Sequence, residues 1–154
     1  MKLTRRALLI SAGVAIPATA AFSVPGRNLF YAAITEDSDG TLIPATEALA
    51  RVEAGTLTLV DIRRPDEWAK TGSPRGSVQL DLRREDFTDA LKDIVGGDLD
   101  APIAVICMRG VRSARTANRM SEAGFTNIYD VPEGMLGSSA GPGWLKRGLP
   151  LNDV

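Results

Sequence analysis

From residue 44 onward, β-rich apolar runs alternate with helical segments at short spacing. That rhythm restricts the fold more than any other feature of the chain. The apolar runs are "TLTLVDI", "SVQLDL", "PIAVI" and "NIYDV". The first and third are mostly apolar, as a strand covered on both faces has to be. The first helical segment, "PATEALARVEAG", sets Ala48, Leu49 and Val52 on one side, with Pro44 in its first turn and Gly55 as its stop. "RPDEWAKTG" reads as a short helical turn. "REDFTDALKDIVGG" aligns Phe87, Leu91, Ile94 and Val95, and "SARTANRMSEAG" turns Ala114, Ala117 and Met120 inward before Gly124. "GPGWLKRGLP" reads as a loop plus a short helical turn. Strands joined by helices pair in parallel through βαβ crossovers. The expected class is therefore α/β, an open, mainly parallel sheet covered by helices. In such sheets, sites gather at the carboxyl ends of strands.

The first twenty residues form a separate object. Lys2, Arg5 and Arg6 precede an apolar stretch from Ala7 to Ile16, Pro17 breaks it, and Ala18-Thr19-Ala20 supplies small residues for cleavage. A transmembrane anchor needs about 20 apolar residues, and Pro17 falls too early for that. Residues 1–20 therefore read as a signal peptide, with no stable membrane insertion after cleavage. The Arg5-Arg6 pair and the leucines after it resemble the twin-arginine type, without its usual phenylalanine. The expected location is periplasmic or otherwise exported from a bacterial cell. Residues 21–43 show no clean period and read as an N-terminal extension packed on the domain. The domain itself spans residues 44–151.

Two absences bound the chemistry. The chain has no histidine, so neither a Ser-His nor a Cys-His dyad can form. With one cysteine besides, a typical zinc site is excluded, and no metal or organic cofactor is expected. The net charge is −1 with no large basic block, which does not favour nucleic acid as a partner. A single cysteine allows no internal disulfide. An unpaired thiol is a liability in an oxidising compartment unless it has a use.

That cysteine, Cys107, lies in "CMRGVRSA", where "PIAVI" ends and a helix is about to begin near Ser113. The tight loop of Met108, Arg109, Gly110, Val111 and Arg112 turns successive amides inward as an anion-binding nest. Gly110 can adopt backbone angles closed to other residues. The helix N-terminus adds its positive dipole end, and Arg109 and Arg112 add full charges. Such a loop favours a thiolate without a histidine base, and it attracts small oxyanions. The competing reading is a buried structural cysteine at a strand end. Arginines are poor neighbours for an inert thiol, which favours function.

"VDIRRPDEWAKTG", "CMRGVRSA" and "EGMLG…GPGWLKRGLP" together resemble the rhodanese domain, the thiosulfate sulfurtransferase family. The resemblance runs from about residue 44 to 151. Asp61 and Arg63, the Glu67-Trp68 pair and the cysteine loop fall in the family's order and spacing. It implies an open sheet of about five mainly parallel strands with helices on both faces. It also implies that Cys107 accepts a sulfane sulfur as a persulfide and passes it on. The amides of Met108 to Arg112 would then cradle the outer sulfur, with Arg109 and Arg112 holding a thiosulfate-like anion. The acceptor would be cyanide, a thiol or a sulfur-acceptor protein. One departure stands out: the family's Gly-His-Ile-Pro-Gly-Ala is here "GSPRGS", with Ser73 at the histidine position.

Two rival functions are weighed against this. Cysteine phosphatases and arsenate reductases use Cys-x5-Arg, whereas Arg112 stands five positions after Cys107 and position six is Ser113. The cradle is one residue shorter, which suits a sulfur atom better than a phosphoryl group. A non-catalytic rhodanese-like binding module is the other rival, although such modules typically lack the cysteine. Asp61 and Arg63 read as a buried ion pair supporting the loop, together with Ser113, rather than as catalysts. Trp68 and Trp144 read as core or rim residues, and Arg75 as a solvated surface charge.

Overall fold

The computed structural model describes residues 24–152. The signal peptide expected over residues 1–20 lies outside them. Chain order is α1 (Val24–Ile34), β1 (Thr41–Leu42), α2 (Ala45–Glu53), β2 (Thr58–Asp61), α3 (Pro65–Thr71), β3 (Val78–Gln79), α4 (Phe87–Ile94), β4 (Ile103–Ile106), α5 (Val111–Glu122) and β5 (Ile128–Asp130). The five strands form one sheet in the order β1-β5-β4-β2-β3, and every pairing is parallel. The α/β expectation holds.

β4 shows how the sequence builds both faces. All four of its residues are buried, and side chains alternate along a strand. Ile103 and Val105 point into a cluster with Phe87 and Leu91 of α4 and Ala117 and Met120 of α5. Ala104 and Ile106 point into a second cluster with Ala45 and Ala48 of α2, Met135 and Trp144. Helices thus cover both faces. Cys107 continues the first series, so its side chain points toward the face that α5 covers.

The edges differ from the sequence reading. β3 is only two residues long and both are exposed, because an edge strand is bonded on one side only. β1 adds the opposite edge from within the extension, pairing Thr41 with Tyr129 and Leu42 with Asp130. The rest of the extension is largely α1, which packs against α5. Helix α5 begins at Val111, two residues before the expected start, because Gly110 at φ +90° serves as its N-cap. Trp144 is fully buried and its indole N–H donates to the Pro150 carbonyl at 2.9 Å. Trp68 is half-buried and Arg75 is exposed.

Candidate active site

The carboxyl ends of β2, β4 and β5 meet at one place, and the Cys107 loop lies there. Cys107 is 1% exposed. The Gly110 N–H donates to its Sγ at 3.2 Å, and the Ser113 hydroxyl oxygen lies 3.7 Å from the same sulfur. The ladder of α5 opens with Ala114 N–H donating to the Gly110 carbonyl at 3.1 Å. The amides of Val111, Arg112 and Ser113 belong to the first turn, which has no earlier helical carbonyl to bond. Their partial positive charge gathers at this end of the helix, which follows the cysteine by a short loop. The Ser113 hydroxyl donates to the Gly110 carbonyl at 3.0 Å and locks the turn.

A second loop clamps this one. Met135 N–H donates to the Cys107 carbonyl and Leu136 N–H to the Met108 carbonyl, both at 3.0 Å. The approach requires glycine on both sides. A Cβ on Gly110 would fall 2.3 Å from the Pro132 carbonyl oxygen, and one on Gly134 would fall 2.7 Å from the Met108 carbonyl oxygen.

The loop's arginines both have protein partners. Arg112 makes a two-pronged pair with Glu67, at 2.8 and 2.7 Å. Burial raises the Glu67 carboxyl, but hydrogen bonds from Arg112 and the Arg64 amide outweigh it and hold the group below its usual range. The same hydrogen bond holds Arg112 above its own ordinary value. Arg109 donates through Nη1 to the Gly137 carbonyl at 3.0 Å and to Asn28 Oδ1 at 3.4 Å, and its guanidinium lies 5.2 Å from the Tyr31 ring centre. Both arginines, expected to hold an anionic donor, thus have protein partners and also line the cavity beside Cys107.

Asp61 and Arg63 form a fully buried ion pair at 2.7 Å. Arg63 also donates to Thr71 Oγ1 and to the Gly72 carbonyl, each at 2.7 Å. The pair therefore ties the end of β2 to the end of α3, and α3 carries Glu67. Glu67 in turn pairs with Arg112 of the cysteine loop. Ser73 is buried and accepts a 2.8 Å hydrogen bond from Gln79. Among the described residues, no cluster of acidic and cysteine side chains could hold a metal ion.

Three features escape the sequence reading. Glu67 appears there only as a motif residue, although a carboxylate on the helix after β2 is well placed for an arginine after β4. Asp130 is 1% exposed at the end of β5, and its Oδ1 has no hydrogen-bond partner among the described residues. Burial pushes this carboxyl up to about 6, with the Ser113 and Ser38 hydroxyls opposing the shift. Tyr31 and Ile34 of α1 join Glu67, Cys107, Met108, Arg109, Val111 and Arg112 around a cavity of about 300 Å³. The extension thus supplies a wall of the site, which nothing in its own pattern announces.

A parallel α/β sheet with a strand-end cysteine at a helix N-terminus, its sulfur accepting from the Gly110 amide, defines the class of protein. Comparison with known proteins makes it specific. The Rhodanese-like domain family matches residues 44–140, and the chain belongs to that family. The thiosulfate sulfurtransferase GlpE of Actinobacillus pleuropneumoniae serotype 3 is 32% identical over 72% of this chain and 92% of its own length. The polysulfide-sulfur transferase homodimer of Wolinella succinogenes matches with a TM-score of 0.60 and 26% identity, over 84% of this chain and 89% of that one. A protein of M. tuberculosis matches with a TM-score of 0.57 and 27% identity, over 75% of this chain and 98% of that one.

Proposed function

We propose that the protein is a sulfurtransferase that carries a sulfane sulfur on Cys107. The observation that carries this reading is the Gly110 N–H directed at Sγ from 3.2 Å, at the N-terminus of α5. A donor such as thiosulfate binds with its outer sulfur in the cradle. The Cys107 thiolate attacks that sulfur, an S–S bond forms, and sulfite leaves with the electron pair of the broken bond. The outer sulfur of the persulfide then rests among the first-turn amides of α5. An acceptor nucleophile (cyanide, a thiol or the thiol of a partner protein) attacks it and restores the thiolate. The sulfurtransferase relatives support this reading, and so does a cradle one residue shorter than a phosphatase's.

Steady-state thiocyanate formation from thiosulfate and cyanide tests it. Native protein turns over and Cys107→Ser does not. Equal rates for the two would refute the assignment. Hydrolysis of an aryl phosphate by native protein would favour the phosphatase alternative. Among the described residues no helix is long and apolar enough to cross a membrane. We further propose export through the segment before Ala21, and Arg5→Lys with Arg6→Lys checks the twin-arginine route. Retention of the doubly substituted chain in the cytoplasm supports that route, and unchanged export rejects it.

A further inference from the structure

We infer that Tyr31 sets the donor class, by engaging the Arg109 guanidinium from α1 and walling the cavity for an alkyl hydropersulfide rather than a dianion. The inference rests on the sulfur-transfer reading above and concerns the donor alone. The cavity beside Cys107 is lined by Tyr31, Ile34, Met108 and Val111 as well as by charged groups. Its two cations, Arg109 and Arg112, share the lining with Glu67 and Cys107. With the sulfur ionised, the charges of the lining cancel. A dianion such as thiosulfate gains little net attraction in a lining of that kind.

The two arginines are restrained differently. Glu67 holds Arg112 with two short hydrogen bonds. Arg109 is held by the Gly137 carbonyl on one side and by Asn28 and the Tyr31 ring on the other. The last two partners both come from α1. An arginine over an aromatic face gains a modest attraction there, and an anionic donor has to draw Arg109 off the ring before using its charge. A donor with an apolar body makes no such demand and lies against the Tyr31, Ile34 and Val111 side chains.

The transfer balances without any further reactant. The Cys107 thiolate attacks the terminal sulfur of R–S–SH, the Sγ–S bond forms and the donor S–S bond breaks. The alkyl thiolate R–S⁻ departs with the electron pair and takes a proton from water, while the terminal sulfur keeps its own proton on Cys107.

Loading rates of the full chain with thiosulfate and with an alkyl hydropersulfide, followed by release as thiocyanate, test this. Native protein loads faster from the hydropersulfide. Tyr31→Ala frees Arg109 from the ring, leaving its Gly137 and Asn28 contacts, and lowers the thiosulfate KM by at least about threefold, the scale of one cation–π contact. Hydropersulfide loading in the same variant falls as the apolar wall is lost, but persists. Tyr31→Phe keeps the ring and the native preference. Adding Arg109→Gln to Tyr31→Ala abolishes the gain toward thiosulfate. An unchanged thiosulfate KM in Tyr31→Ala, or a gain that survives the loss of Arg109, overturns the inference while leaving sulfur transfer intact. Native protein that loads from neither donor overturns the sulfur-transfer reading itself, and this one with it.

Discussion

At the scale of single residues, the site sets a buried acid, with one carboxylate oxygen lacking a partner among the described residues, beneath a cysteine loop that favours negative charge. Asp130 closes β5 under the first turn of α5, and burial raises its carboxyl to about 6. A carboxyl whose folded value lies above its unfolded value of 3.8 holds its proton more tightly when folded. It therefore draws stability out of the fold as pH rises through that interval, and the loss is complete above about 6. Asp130→Asn removes the charge and keeps the shape. Thermal melts should place the variant above native protein at pH 7.5, by on the order of 3 kcal/mol, with the two converging near pH 4. A variant less stable than native at pH 7.5 would show that the carboxylate is satisfied rather than strained. Nothing in "NIYDV" reveals this acid, because its position in the strand shows neither the helix above it nor the oxygen left without a hydrogen bond. Cys107 was legible for the opposite reason: its loop, its glycine and its arginines are adjacent in sequence.

At the scale of elements, the cysteine loop holds its shape because two glycines allow a second loop to lie against it. Gly110 has φ +90° and has the Pro132 carbonyl where a side chain would start. Gly110→Ala should cost about 3 kcal/mol through backbone strain and collision together, and it should slow sulfur loading. Gly96 is a contrast, since it too has positive φ but nothing lies within 4 Å of an added Cβ. Gly96→Ala should cost only about 1 kcal/mol and leave loading unchanged. Equal losses for the two in chemical denaturation would mean that loop contact contributes nothing. The interior strands and the helices α2, α4 and α5 were legible from period and capping residues. The edges were not. β1 has two residues, both exposed, so it carries neither alternation nor an apolar run. α1 and its contact with Arg109 join residues 81 positions apart along the chain at Asn28, and no local pattern encodes a pairing at that distance.

At the scale of the whole molecule, Glu133 ties the sheet's second face together. Its carboxylate accepts from the Ala45 N–H at the start of α2 at 2.7 Å, from the Gly143 N–H at 2.8 Å and from Arg147 at 2.8 Å. Burial raises this carboxyl, but Arg147 and the two amides outweigh it and hold it below its ordinary value of 4.5. A depressed carboxylate contributes stability that is present above 4.5 and is lost as pH falls through its folded value. Glu133→Gln should therefore lower stability by about 2 kcal/mol at pH 7, with the difference shrinking once native protein is protonated as well. A pH-independent difference in urea midpoints would trace the effect to packing instead of charge. The proposed activity of the molecule, however, concerns one sulfur atom. Intact-protein mass spectrometry after exposure to thiosulfate, and separately to an alkyl hydropersulfide, tests it most directly. Native protein should gain one sulfur atom, localised by peptide mapping to Cys107, and cyanide should return it to its starting mass with release of thiocyanate. A native chain that keeps its mass with both donors, or gains a sulfur that cyanide cannot remove, would contradict the account.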